Sequence, residues 1–185
     1  MTTEDLRTRL IAAGVELLDN EGVQALSLRE IARRAGVSHG APRRYFPTHL
    51  ALLSAIAREG FGQLGGRAAL VTGGAPRAHL AELARVYLDF ARSNPGMYEL
   101  MFRHDLLESG GLGLRDTSLP LFGLLVELVA ELRPDPAVVA GALWANLHGL
   151  AQLGRWGSIQ LATGTDDFEP LLRSVLDAHL GPESR

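Results

Sequence analysis

Apolar residues recur along this chain three and four positions apart, the spacing of a buried helix face. Leu6, Leu10, Ala13, Leu17 and Leu18 mark a first helix. Leu28, Ile31, Ala32 and Ala35 mark a second, and Leu53, Ile56, Ala57, Phe61 and Leu64 a third. The pattern returns at Leu80, Leu83, Ala84, Tyr87, Leu88 and Ala91, then at Leu121, Leu125, Leu128, Val129 and Leu132. It closes with Phe168, Leu171, Leu172, Val175, Leu176 and His179. No run alternates apolar and polar residues as a half-buried strand does, and no Asn-Gly hairpin is present. The pattern predicts an all-α chain of about nine helices.

The breakers divide the chain in the same places. Ser27-Leu28-Arg29-Glu30 has the form of a capping box, in which Glu30 reaches back to the Ser27 amide. Asn94-Pro95 and Asp135-Pro136 each put a cap residue before a proline suited to the first helical position. Thr72–Pro76, the glycine tract Ser109–Gly113 and Ala162–Thr165 read as loops. The last two helices are expected over Pro136–Gln160 and Asp167–Leu180.

Composition narrows the function. With 185 residues the chain buries a core without staples, and with no cysteine it has no disulfide, catalytic thiolate or cysteine-type zinc site. All 18 basic residues are arginine, which excludes Schiff-base, P-loop and kinase lysines. There is no His-Glu-x-x-His helix and no Gly-x-Gly-x-x-Gly after a strand. His39, His49, His79, His104, His148 and His179 are scattered without ligand spacing. We therefore expect no enzyme, no metal and no cofactor. No stretch of 18 apolar residues exists, and an acidic start followed by Arg7 and Arg9 does not read as a secretory signal. A cytoplasmic protein without a membrane partner is the expectation.

The net charge of −3 hides an uneven distribution. Leu26–His49 holds five arginines (Arg29, Arg33, Arg34, Arg43, Arg44) and one acid, Glu30, so it carries +4 while the remainder carries −7. In this segment a helix Leu28–Ala35 ends at Gly36, a residue suited to the left-handed position after a helix. Ser38 reads as the N-cap of a next helix, beginning at His39, whose inner face is Pro42, Phe46 and Tyr45. Helix, glycine turn and helix make the unit that places a second helix in the DNA major groove. A solvated basic face without a partner has the same pattern.

Residues 22–53, with Leu28-Arg29-Glu30-Ile31-Ala32, Ala35-Gly36-Val37-Ser38, Gly40-Ala41-Pro42 and Tyr45-Phe46-Pro47, resemble the tetracycline-repressor (TetR) family. The resemblance implies a homodimeric, one-component transcriptional regulator, usually a repressor that an effector releases from palindromic operator DNA. It implies a DNA-binding domain over residues 1–48 and an effector-binding and dimerisation domain over 49–185. DNA contact is implied at Arg29, Ser38, His39, Gly40, Ala41, Arg43, Arg44, Tyr45, Thr48 and His49. The chain departs from the family's usual residues at Arg43, often Tyr, and at His49, often Lys.

Residues 90–102 and Leu143-Trp144-Ala145-Asn146-Leu147-His148-Gly149-Leu150-Ala151 are similar to the regulatory domain named for its Trp, His and Gly. Trp144 and His148 share a helix face. Either His148 is the polar anchor of an effector pocket, or it is a buried histidine bonded to a backbone carbonyl with Trp144 as core. Gly149 reads as a site of close helix packing. Tyr87, Tyr98, Met101, Phe102 and Phe122 complete the candidate pocket and suit a largely apolar small molecule. Arg103 and His104 are candidates for an anionic group. Leu153, Trp156, Leu172, Val175, Leu176 and His179 are the candidate dimer interface, the alternative being packing within one chain. The helix from about His49 to Leu70, softened by Gly60, Gly62, Gly65 and Gly66, is the expected lever between effector and DNA. Transcriptional activation, and effector binding without operator recognition, are the other readings.

Overall fold

The computed structural model describes residues 3–103 and 113–182. Among these residues the helical repeats form nine α-helices and two 3-10 turns. The helices are α1 (Thr3–Glu21), α2 (Leu28–Arg34), α3 (His49–Ala68), α4 (Pro76–Ser93) and α5 (Pro95–Met101). They continue as α6 (Leu114–Ala130), α7 (Pro136–Arg155), α8 (Ser158–Thr163) and α9 (Glu169–Leu180). Of the expected glycine loop only Gly113 is described; Ser109–Leu112, and His104, lie outside the described residues. Among the described residues no helix is long and apolar enough to cross a membrane.

The chain forms two compact units, 1–63 with 94–118, and 64–93 with 119–185. In the first, α1 packs on α2 and α5, and the 3-10 turn Val23–Ala25 packs on α1 and α5. Leu10, Leu17, Leu18, Ile31, Leu52 and Ile56 are fully buried there. Each such side chain contributes on the order of 1.5–3 kcal/mol. Two glycines bring α5 in. A Cβ at Gly96 would stand 2.7 Å from the Leu18 carbonyl oxygen, and one at Gly60 2.6 Å from Met97 Sδ. In the second unit α4 packs on α7 and α9, and α7 on α8 and α9. Leu80, Val129, Ala140, Leu143 and Leu172 are its core, and Arg77 and Arg85 of α4 pair with Asp177 and Glu169 of α9.

Three local expectations are revised. Ser27 Oγ does accept the Glu30 N–H at 3.2 Å, but the Glu30 carboxylate turns to Arg33 and Arg34, so only half of the capping box forms. A carboxylate bonded to a guanidinium gains the attraction of two opposite charges, which outweighs its bond to a neutral, exposed amide. The long helix expected over Pro136–Gln160 breaks after Arg155, because Gly157 adopts φ +70° and starts a separate helix, α8. A Cβ at Gly149 would meet nothing within 4 Å, so its missing side chain serves no packing inside the described chain.

The glycines of α3 and α5 differ in kind, and so will their replacements. Gly62 has open space where a Cβ would stand, whereas Gly96 faces backbone. Gly62→Ala should stabilise the protein by about 0.5–1 kcal/mol through backbone entropy. Gly96→Ala should destabilise it by about 1–3 kcal/mol through overpacking. Thermal unfolding of the two variants, followed by circular dichroism, checks both signs.

Candidate nucleic-acid interface

The turn after α2 is built by backbone hydrogen bonds. Gly36 sits at φ +66°, with its N–H donating to Arg33 O at 3.1 Å and the Val37 N–H donating to Ala32 O at 3.0 Å. This is the Schellman pair that ends a helix, and only glycine adopts its left-handed position without strain. Arg9 of α1 then donates from Nη2 to Ala35 O, tying the turn to the first helix.

The second helix of the pair is shorter than expected. In place of a helix starting at His39, residues 39–41 form turns and Pro42–Arg44 a 3-10 turn. Proline is the cause: without an N–H, Pro42 cannot bond to Ser38 O, which accepts the Ala41 N–H at 3.0 Å instead. Ser38 is thus not the side-chain cap of a regular helix. The Phe46 N–H donates to Pro42 O at 2.8 Å, so a single helical turn spans the recognition segment. Pro42 and Phe46 are buried beneath it, while Ser38, His39, Gly40, Arg43 and Arg44 are exposed and Ala41 and Tyr45 half-buried.

The five arginines of this region separate into two groups. Arg34, mostly buried, pairs with Glu16 and Glu30 at 3.3 Å and also with Glu21, joining α1 to α2. Arg33 donates from Nε to Glu30 at 2.9 Å. The hydrogen bond from Arg33, helped by Arg34 and both charges, lowers the Glu30 carboxyl to about 2. Arg29, Arg43 and Arg44 are exposed and make no ion pair among the described residues. Their charges remain available to an outside anion.

Two further residues of the expected set stand at the start of α3. Thr48 Oγ accepts the Ala51 N–H at 2.9 Å, an N-cap. His49 is half-buried, and its Nε2 is buried with no hydrogen-bond partner among the described residues, so this nitrogen does not face solvent. Local sequence missed Arg7, whose guanidinium carbon lies 5.5 Å from the Phe46 ring centroid. Its contact is made across the fold, and no nearby motif marks it.

The candidate pocket residues fall in both units. Tyr98 and Met101 are buried in the first, where the Tyr98 and Phe102 rings are 5.0 Å apart and Phe102 meets Phe61 edge-on at 5.7 Å. In the second, Tyr87 Oη and His148 Nδ1 are 3.0 Å apart. Trp144 stands 5.7 Å from the His148 ring and 6.5 Å from Phe122, edge-on. All four are partly exposed, so Trp144 is not a closed core residue, and His148 Nδ1 meets the Tyr87 phenol.

The interface candidates also divide. Leu172 and Leu176 are buried within the chain and have no surface to offer, because α9 spends them on α4 and α7. Val175 is half-buried. His179 is engaged: its carbonyl accepts from Arg133 Nε at 3.1 Å and its Nε2 meets Asn146 Nδ2 at 3.0 Å. Leu153 and Trp156 are exposed, Trp156 by 71%, and so are Val138, Ala142 and Ala145 on the same face of α7.

Glu30→Gln should release Arg33, while Glu16 and Glu21 still hold Arg34, and tighten binding to any duplex, with a steeper salt dependence. The lowered Glu30 carboxyl also sets a sign for stability. Its contribution is full above the unfolded value near 4.5 and fades as pH falls towards 2. Melting curves of wild type and Glu30→Gln should therefore converge on acidification.

Residues 10–56 match the model of the bacterial regulatory proteins of the tetR family. Residues 80–179 match the tetracyclin repressor-like C-terminal domain, a span that contains the whole Trp144–Gly149 segment. A solved protein of unknown function from Rhodococcus sp. RHA1 is 28% identical, with 95% of each chain covered and a TM-score of 0.79. RolR, solved in complex with resorcinol, shares the fold at 17% identity and a TM-score of 0.70, covering 97% of this chain and 89% of its own. The nucleoid occlusion factor SlmA of Mannheimia succiniciproducens is 28% identical over 109 residues, 56% of this chain. The chain spans about half the length of that curated relative. Proteins of this type are in general regulators rather than enzymes, and they bind DNA and small molecules. The all-α fold, the helix-turn-helix segment and the two matched domains place this chain in the tetracycline-repressor family of transcriptional regulators.

Proposed function

We propose that the protein is a homodimeric repressor that a small, largely apolar effector releases from a palindromic operator in the cytoplasm. The observation that carries this reading is the division of the arginines. The fold neutralises Arg33 and Arg34 internally and leaves Arg29, Arg43 and Arg44 exposed around the glycine turn. Three guanidiniums without an ion pair among the described residues supply phosphate contacts and one guanine-reading fork. Gly40, without a side chain, lets the turn approach the duplex backbone. In this reading residues 1–48 are the DNA-binding domain and 49–185 bind effector and partner.

The half-open wall of Tyr87, Phe122, Trp144 and His148 is the proposed effector site. A phenol–imidazole pair among aromatic rings suits a planar, mostly apolar molecule with one or two hydroxyl groups. The resorcinol bound by RolR has that character. The two-fold partner is assigned to the face of α7 with Val138, Ala142, Ala145, Gly149, Leu153 and Trp156. A dimer sets two recognition turns one helical turn of DNA apart, about 34–36 Å. α3, continuous from His49 to Ala68, is the lever, and Gly62 and Gly66, which no packing requires, soften it. The effector needs a differential affinity of a few kcal/mol between the two states to release DNA.

Selection from random duplexes, followed by fluorescence anisotropy at two salt concentrations, tests this reading. One enriched palindrome bound more tightly than a scramble supports it; no enrichment overturns it. Arg43→Ala should lose about 1–3 kcal/mol at one base position and relax specificity there. Ala145→Glu, a charge on the proposed partner face, should give a monomer by analytical ultracentrifugation with its melting temperature kept. A persisting dimer would move the interface elsewhere.

A further inference from the structure

We propose that Arg7 is an additional phosphate-binding residue of the DNA-binding surface, supplied by α1 from outside the helix-turn-helix. The proposal rests on the DNA-binding reading above. α1 carries two arginines near its start, and the fold uses them differently. Arg9 is half-buried and bonded to Ala35 O at the end of α2. Arg7 is exposed and pairs with no carboxylate among the described side chains. Its guanidinium lies over the ring of Phe46.

Phe46 fixes where that charge stands. Its N–H is bonded to Pro42 O, and its buried ring closes the underside of the turn that carries Arg43 and Arg44. The guanidinium of Arg7 is therefore held beside the recognition turn by a residue 39 positions later in the chain. A ring face attracts a cation without neutralising it. Arg7 keeps its full charge and its N–H donors, with its long side chain already ordered. Duplex DNA offers a phosphate every roughly 1.7 Å of axis, so a cation bordering the groove-facing turn meets one. Arg7 thus joins Arg29, Arg43 and Arg44 as a fourth arginine around the turn without an ion pair among the described side chains, and it is the one supplied by α1.

The test compares wild type, Arg7→Met and Arg7→Lys on the duplex that wild type enriches from random DNA. Met keeps a long stem against the Phe46 ring and removes the charge, so the variant holds the fold. Lys keeps the charge. Affinity is measured across a salt series, with melting temperatures alongside. Arg7→Met should lower the slope of log affinity against log salt by about 0.9 per bound protomer, with base preference unchanged. Arg7→Lys should restore most of that slope. If wild type binds its duplex and Arg7→Met binds with the same slope, the proposal is overturned. It is equally overturned if Arg7→Met loses base preference at constant slope, because Arg7 would then only brace Phe46. If wild type enriches no duplex, the DNA-binding reading fails and this proposal fails with it.

Discussion

The left-handed turn at Gly36 is the constraint on which the DNA-facing surface depends. It ends α2 by satisfying the carbonyls of Ala32 and Arg33, and it sets the direction in which the chain leaves. Everything that follows is placed by that exit: the exposed stretch Ser38–Gly40, the buried Pro42 and Phe46, and the outward Arg43 and Arg44. A side chain at position 36 would strain the backbone and re-aim the turn. The bond from Arg9 to Ala35 O and the closeness of Arg7 to Phe46 then brace both ends of the turn from α1.

Charge is distributed with the same economy. A cluster of five arginines would repel itself if all five stood free. Glu16, Glu21 and Glu30 take up Arg33 and Arg34, and the pairs of Arg34 with Glu16 and Glu21 join α1 to α2. The remaining positive charge is concentrated where α2 and the recognition turn are open to a partner. Exposed pairs of this kind contribute little to stability singly. Their effect lies in deciding which arginines stay available, a matter of binding more than of folding.

Much of this was legible in the chain. The three-and-four spacing of apolar residues marks the helices because a helix buries one face whatever its neighbours are. Leu10, Leu17, Ile31, Leu80 and Leu143 are core for that reason. Gly36 was legible as a helix stop because backbone strain is local. The recognition segment was legible as a basic turn, but its length was not. Pro42 weakens a helix that tertiary packing elsewhere often rescues, and here packing of Pro42 and Phe46 stabilises a single turn instead. The break at Gly157 was hidden by the same ambiguity, since glycine tolerates both helix and turn.

The sequence by itself determined the helix faces, the glycine turn and the concentration of positive charge, since each depends on residues within a few positions of one another. Tertiary structure alone decided which of those residues are available. Leu172 and Leu176 share the helical stripe of α9 with Val175, yet they are spent inside the chain. Arg34 differs from Arg43 and Arg44 in the two acids that α1 brings to it, whereas Glu30 reaches Arg33 within α2. His49 points its Nε2 inward, and Arg7 finds Phe46 across the fold. Periodicity records which side a residue faces on its own helix. Whether a partner waits there depends on how distant segments pack, and that information is not local.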